Sequence, residues 1–93
     1  MRVEWHRLAQ SDLTELMTFI AAEDPAAAAR VHSEIRRQIG MLATYPEIGR
    51  LGRVPGTREL VVTGTPFIAA YRLGETVTIL RVLHGARRWP LSL

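Results

Sequence analysis

The sequence contains neither cysteine nor lysine, and it has no long hydrophobic run. Without cysteine, the chain cannot form a disulfide framework, a thiolate zinc site or a thiol nucleophile, which excludes disulfide-rich scaffolds, zinc ribbons and thiol enzymes. Its apolar runs are far shorter than the ~18 residues that a membrane-spanning helix needs. The opening MRVEWHRLAQSDL lacks the continuous apolar stretch of a signal peptide. We therefore expect a cytoplasmic protein with no membrane partner.

The composition is that of one ordered globular domain. The chain has 93 residues, of which 47% are hydrophobic and 23% charged, and this suffices for a single modest core over residues 1–93. Every basic side chain is an arginine, and the net charge is +3. Because the guanidinium is a planar, permanently charged fork, this usage favours a partner that carries phosphate or carboxylate, although the base composition of the genome could produce the same lack of lysine.

Apolar spacing in the first half of the chain predicts a short strand followed by two helices. Val3 and Trp5 alternate with polar residues, which is the period of a half-buried strand. A first helix, capped by Ser11 or Asp12, is expected to run to about Ala22. Its apolar stripe consists of Leu13, Leu16, Met17 and Ile20.

The second helix is predicted to begin at Pro25, because proline disfavours helix at the preceding residue but fits the first helical position. Four alanines follow, and apolar residues then recur every three or four positions up to Tyr45 and Pro46. These residues are Val31, Ile35, Ile39 and Leu42. So short a connection makes the two helices an antiparallel hairpin.

The second half is predicted to be a loop and three strands. Glycine and proline are dense over residues 46–56, and β-favouring runs follow at 57–62, 67–73 and 77–84. The order is strand, helix, helix, strand, strand, strand. The sequence therefore predicts an α+β fold in which a helical hairpin packs on a four-strand, mainly antiparallel sheet.

The last hairpin predicts a sheet that is apolar on both faces. With Gly74 and Glu75 as a two-residue turn, one face carries Phe67, Ala69, Tyr71, Leu80, Val82 and His84. The other face carries Ile68, Ala70, Arg72, Val77, Ile79, Arg81 and Leu83. One helical hairpin covers only one of them, so we expect another protein to cover the second. The alternative is that residues 85–93 fold back with Trp89 and Leu91.

Four stretches together resemble the RelE/ParE family of type II toxin–antitoxin toxins, and most closely its ParE-like branch. They are DPAAAARVHSEI, YPEIGRLGRVPGTRELVV, TPFIAAYRL and ILRVLHGARRWP. The resemblance spans nearly the whole chain. It implies a toxin that is neutralised by a cognate, ParD-like antitoxin, inhibits DNA gyrase and serves plasmid stabilization. Such a protein poisons its target by binding and needs no cofactor.

The RelE-like branch, which cleaves mRNA on the ribosome, is the alternative. RNA cleavage needs a base or orienting group for the 2′-hydroxyl and cations for the phosphate. The sequence departs from that set, because Phe67 stands where nucleases of the family carry an arginine and because a final lysine or tyrosine is missing. His84 falls where some of them have a catalytic histidine, and it is the catalytic candidate if the chain is a nuclease. A third possibility is a member that binds without toxicity.

Two sets of site residues follow from the register and the resemblance. The target-binding candidates are Arg58, Tyr71, Arg72, Arg81, His84, Arg87 and Arg88. The antitoxin-binding candidates are Leu13, Met17, Phe67, Leu80, Val82 and Trp89. For the strand arginines, internal pairing with Glu59 or Glu75 is the competing interpretation, since a half-buried guanidinium must find an acceptor. No metal site is expected, because His6, His32 and His84 are far apart.

Overall fold

The computed structural model describes residues 1–90 and 92–93, and in it two helices pack on a five-stranded sheet. The helices are α1 (Arg7–Ala21) and α2 (Pro25–Gly40), and a 3₁₀ turn follows at Met41–Ala43. The strands are β1 (Val3–Trp5), β2 (Arg50–Leu51), β3 (Arg58–Val61), β4 (Phe67–Leu73) and β5 (Val77–His84). The sheet order is β1-β5-β4-β3-β2. The predicted α+β class is confirmed, with a fifth strand because β2 forms within the expected loop.

The sheet is mixed, since β1 runs parallel to β5 whereas the other neighbours are antiparallel. The main core lies between this sheet and the helical hairpin. Its largest fully buried side chains are Tyr71, Ile35, Ile39, Leu42, Ile79, Val62, Val77 and Val82. The helical positions among them belong to the stripe that the sequence predicted for the second helix.

Helix α1 begins earlier than predicted. His6 caps it, because its Nδ1 accepts a hydrogen bond from the backbone N–H of Leu8 at 3.1 Å. Asp12, expected as a cap, lies inside the helix, and its carboxylate binds Arg81 and the backbone N–H of Val82. The prediction of a start at Ser11 or Asp12 was wrong because this long-range contact outweighs the local capping preference.

Helix α2 begins where the sequence predicts. The Asp24 side chain accepts a hydrogen bond from the N–H of Ala27 at 3.0 Å, and Pro25 occupies the first turn. The α-helix ends at Gly40, and the 3₁₀ turn that follows carries Leu42 into the core. The helical segment therefore stops just short of Tyr45.

The β4–β5 hairpin differs from the predicted register. Its turn spans three residues, 74–76, and a bulge beside Ala70 and Tyr71 shifts the register once more. Observed pairs are Leu73–Val77, Tyr71–Ile79, Ala69–Val82 and Phe67–His84. Val77 and Ile79 consequently pack in the core beneath the helices, and our assignment of these two residues to the opposite face was wrong.

The opposite face of the sheet is covered by the C-terminal tail, of which the structure describes residues 85–90 and 92–93. Trp89 is only 9% exposed and packs with Ile68 and Ala70, and Leu83 and Leu93 lie against the same cluster. The prediction that this face required another protein as a cover was therefore wrong, and the folded-back tail is correct. Leu91, expected to contribute, lies outside the described residues.

Candidate functional site

A groove opens on the helical side of the molecule. It has a volume of about 470 Å³ and is lined by Trp5, Gln10, Leu13, Thr14, Met17, Thr18, His32 and Arg36. We call it the helix groove, because α1 and α2 supply its walls and β1 supplies Trp5. It brings together two predicted antitoxin-binding residues, Leu13 and Met17, and combines them with polar groups that sequence reasoning missed.

The permanent charge in the helix groove comes from Arg36, and no acidic side chain is among the described residues that line it. The Arg36 guanidinium lies over the Trp5 ring, 5.1 Å from its centre, which is cation–π geometry. Its neighbour Arg37 points elsewhere and forms an ion pair with Glu34. That pair raises the pKa of Arg37 and lowers the pKa of Glu34. The groove thus combines the cation of Arg36 with the apolar side chains of Leu13 and Met17.

The second cluster holds the C-terminal tail on the sheet. The Arg53 guanidinium stacks 3.7 Å above the Trp89 ring, and the Trp89 indole N–H donates to the carbonyl of His84 at 3.2 Å. Arg53 also donates from its backbone and its side chain to Glu59, and Arg50 donates to the same carboxylate. These side chains form the arginine–tryptophan cluster, which ties the loop after β2 to the tail.

Glu59 is the anchor of that cluster. Its side chain is only 2% exposed, at distances of 3.0 Å from Arg50 and 3.1 Å from Arg53. Burial raises the pKa of the Glu59 carboxyl, but the hydrogen bonds from Arg53 and Arg50 outweigh it and hold the pKa below its ordinary value. Glu59 therefore pairs with Arg50 and Arg53. The partners that the sequence suggested for it were Arg58, Arg72 and Arg81, the arginines within the predicted strands.

Tyr71 and Arg58, two predicted target-binding residues, hold the loop before β2. The Tyr71 hydroxyl donates to the carbonyl of Pro46 at 2.7 Å and accepts from the N–H of Gly49 at 3.0 Å. Arg58 donates to the carbonyls of Glu47 and Gly49. Burial raises the pKa of Tyr71. Both side chains thus have internal partners.

This loop gives a direct test of the packing. A Cβ at Gly49 would lie 2.5 Å from the Tyr71 hydroxyl oxygen, and Tyr71 is fully buried. We expect Gly49→Ala to lower the free energy of unfolding by about 2 kcal/mol, because the ring cannot move away. Gly40→Ala is the matched control, since a Cβ there meets nothing within 4 Å. Urea denaturation should leave that control unchanged or slightly stabilised; equal losses would contradict the packing argument.

Arg81 is bound to α1. Its Nε and Nη2 donate to the two carboxylate oxygens of Asp12 at 2.8 and 2.9 Å, and these bonds raise the pKa of the guanidinium. Internal pairing of a strand arginine was one of our two interpretations, but the partner is Asp12 and neither Glu59 nor Glu75. The contact joins the helical hairpin to the end of the sheet.

His84 ends β5 beside Phe67, as predicted. The two rings are 5.9 Å apart and perpendicular, and the His84 Nδ1 accepts the backbone N–H of Ala86 at 3.1 Å. The remaining predicted target-binding residues, Arg72, Arg87 and Arg88, are exposed. Arg50 is exposed as well, so the sheet end and the tail carry several accessible cations.

Most predicted antitoxin-binding residues are buried in the chain's own packing. Leu13, Phe67 and Val82 lie in the main core, Leu80 is buried, and Trp89 belongs to the tail cluster. Met17 is half-buried. The large exposed apolar side chains lie elsewhere, and Phe19 and Leu51 are each 79% exposed. Sequence periodicity had no signal for Phe19, because it falls outside the apolar stripe of α1.

Other kinds of site find no support in the part of the chain that the structure describes. There, no group of three or more histidine, aspartate or glutamate side chains is arranged to hold a metal ion. None of the helices within residues 1–90 and 92–93 is long and apolar enough to cross a membrane.

Comparison with known proteins decides the family. The family model for the ParE toxin of the type II toxin–antitoxin system parDE matches residues 3–89. The chain belongs to this ParE toxin family. It is 43% identical over 92 residues to the putative toxin Y4kP of Sinorhizobium fredii, covering 99% of this chain and 96% of that protein. Toxin RelE2 of Caulobacter vibrioides is 37% identical and is matched over 92% of this ParE-family chain and 97% of its own length.

A solved structure resembles this ParE-family chain throughout. It is described as the chromosomal ParDE TA system from P. aeruginosa, with a TM-score of 0.82 and 30% identity over 90% of this chain and 95% of that one. The sequence-based resemblance to RelE/ParE toxins is therefore confirmed at the level of family and fold. The ParE-family chain is a toxin of a type II toxin–antitoxin system.

Proposed function

We propose that this ParE-family toxin acts by binding DNA gyrase and is neutralised by a ParD-like antitoxin. The observation that carries the proposal is the internal use of strand side chains that could otherwise serve RNA cleavage. Arg58 binds loop carbonyls, Tyr71 bridges Pro46 and Gly49, and Arg81 is paired with Asp12. None of these three is left to hold a scissile phosphate or to move a proton.

His84 lacks the setting of a general base. Its Nδ1 accepts a backbone N–H, and its ring packs edge-on against Phe67. In a nuclease a cation would hold the phosphate next to the base, but β4 begins with the apolar Phe67 at the paired position. A toxin that acts by binding gyrase needs no proton transfer from His84, because inhibition requires only a surface complementary to gyrase.

The exposed arginines suit a complex of protein and DNA. Arg72, Arg87 and Arg88 are exposed, and within the described residues none of them forms an ion pair. Guanidinium groups bind phosphate and carboxylate in a bidentate manner, so these residues are the contacts that we assign to gyrase and its DNA. Gyrase works in the cytoplasm, which is where we propose that the toxin acts, in the service of plasmid stabilization.

Neutralisation is assigned to the helix groove. An amphipathic antitoxin helix would lay its apolar face mainly on Met17 and Trp5, the half-buried apolar side chains of the groove lining, beside the buried Leu13. The structural relative is described as a ParDE system, in which toxin and antitoxin occur together. The sheet residues that we first assigned to the antitoxin include Phe67 and Val82, which lie in the main core under the helices, and Trp89 closes the other sheet face, so the groove on the helical side is the better candidate.

Ribosome-dependent mRNA cleavage is the second candidate. Two relatives favour it by name, Toxin RelE2 and Toxin RelE1 of Caulobacter vibrioides, the latter 32% identical over 81 residues. In that case His84 would be the catalytic residue. The two functions make opposite predictions for one substitution.

The test uses the toxin and its His84→Ala variant in two assays. With gyrase, ATP and supercoiled plasmid, we expect both proteins to trap cleaved DNA, because His84 supplies no essential proton transfer. Arg87→Gln combined with Arg88→Gln should reduce trapping about tenfold, because two phosphate-binding cations are lost. In a translating extract neither toxin should cut mRNA. If the unmodified toxin cuts mRNA and His84→Ala abolishes that activity, the nuclease is correct and the gyrase proposal fails.

A further inference from the structure

Among the described residues that line the helix groove, Arg36 is the one arginine. The guanidinium carbon lies 5.1 Å from the centre of the Trp5 ring, so one face of the cation rests on the indole. Among the residues that the structure describes, no carboxylate forms an ion pair with Arg36. A cation held in place by a ring and lacking an anion is ready to receive one.

Neighbouring arginines differ in this respect. Arg37 follows directly on α2, but its guanidinium is bound to Glu34. Arg53 and Arg81 are likewise paired with carboxylates. Arg36 differs from these three in forming no ion pair within the described residues, and it is further marked by its position over an aromatic ring in the groove lining.

The other residues that line the helix groove indicate which kind of partner carries the anion for Arg36. His32 lies on α2 one turn before Arg36, and both project into a groove that has Leu13 and Met17 on the α1 side. A volume of about 470 Å³ has room for a large apolar side chain together with a carboxylate. A helix presents two such groups together when they are three or four residues apart.

We infer that Arg36, with His32 beside it, is a carboxylate-recognition subsite for the antitoxin. It receives an aspartate or glutamate that lies one helical turn from a large apolar residue, and the apolar residue seats on Trp5, Leu13 and Met17. This inference rests on the proposed neutralisation through the helix groove. The groove selects partners by charge, because a lysine or arginine at the acidic position would meet the like charge of Arg36.

The experiment measures binding of the purified protein encoded next to the toxin gene, by calorimetry with the full-length toxin. We expect Arg36→Gln to weaken binding at least about tenfold, because an interfacial ion pair is lost. Arg37→Gln makes the same charge change one residue away and should alter the Kd less than about threefold. Thermal melting of both variants checks that they are folded.

A second variant places a competing anion in the groove. Thr14 is exposed, lines the groove and lies on α1, where glutamate is a good helix former. We expect Thr14→Glu to weaken antitoxin binding about tenfold by pairing with Arg36, and to add little further loss when Arg36→Gln is already present. Such non-additivity identifies Arg36 as the shared partner.

The possible results distinguish failure of the proposed neutralisation from failure of the Arg36 subsite. If the antitoxin does not bind the unmodified toxin, the proposed neutralisation itself fails. If it binds the unmodified toxin, Arg36→Gln and Arg37→Gln with equal affinity, neutralisation stands and the carboxylate subsite is wrong. If Thr14→Glu and Arg36→Gln weaken binding additively, the two residues act separately and the inference is also overturned.

Discussion

Replacing Asp12 with alanine is expected to lower the free energy of unfolding by about 3 kcal/mol, because it leaves a half-buried guanidinium without its anion. The Asp12 side chain is 11% exposed and that of Arg81 is 25% exposed, so water replaces the lost bonds poorly. The same carboxylate accepts the backbone N–H of Val82 at 3.0 Å. That N–H lies beyond the last β1–β5 pair, Trp5 with Ile79, so Asp12 takes the place of a strand partner.

Two controls make this prediction specific. Glu4→Ala removes an ion pair with Arg2 in which both side chains are largely exposed, and it should cost less than about 1 kcal/mol. Combining Asp12→Leu with Arg81→Met removes both charges and should recover most of the stability lost in Asp12→Ala. Urea denaturation at neutral pH measures all three. A loss in Asp12→Ala no larger than that in Glu4→Ala would contradict the role assigned to this pair.

Glu59→Gln is expected to lower the free energy of unfolding by about 2 to 3 kcal/mol at pH 7, because two arginines then share a neutral acceptor in a buried position. The tail should loosen as well, since Arg53 stacks on Trp89 and is held by Glu59. Tryptophan fluorescence should report greater solvent access at Trp89. Trp5 also contributes to the signal, so a Trp5→Phe background isolates the tail.

The effect of Glu59 depends on pH with a definite sign. The pKa of Glu59 is lowered in the folded protein, so the carboxylate stabilises the fold above its ordinary pKa of 4.5. That stabilisation is lost as the pH falls through the lowered, folded-state pKa. We therefore expect the stability difference between the unmodified protein and Glu59→Gln to shrink below about pH 4. A difference that stays constant from pH 7 to pH 3 would show that the charge of Glu59 contributes nothing.

Local signals predicted the elements well. Pro25 after an aspartate defined the start of α2, and the bounds of β4 and β5 follow from their apolar runs between glycine-containing turns. These features depend on residues near one another in the chain. The α+β class follows from their order alone.

The sequence pattern did not predict the contacts between residues that are far apart in the chain. The three-residue turn inverted the faces assigned to Val77 and Ile79, and the bulge beside Tyr71 then returned Val82 and His84 to the predicted face. A period-two pattern cannot detect such shifts when both faces are apolar. Asp12 and Arg81 are 69 residues apart. No local pattern around either residue identifies its partner, so the sequence analysis assigned Asp12 to the start of a helix.

The candidate site was predicted only in part. Leu13 and Met17 were singled out because apolar residues on α1 suit a helical partner, and both line the helix groove. Arg36 and Trp5 were not, since their relation arises from the packing of α2 beside β1. Closure of the second sheet face by Trp89 likewise depends on Arg53, which belongs to a distant loop.

The parallel pairing of β1 with β5 has a consequence for synthesis of the toxin. Val3 pairs with Val77 and Trp5 with Ile79, so the first strand finds its place only after nearly the whole polypeptide has been translated. Contacts of such high sequence separation form late because a long loop must close first. A chain that ends before β5 therefore lacks the only strand with which β1 pairs in the described sheet, and its first strand stays unpaired.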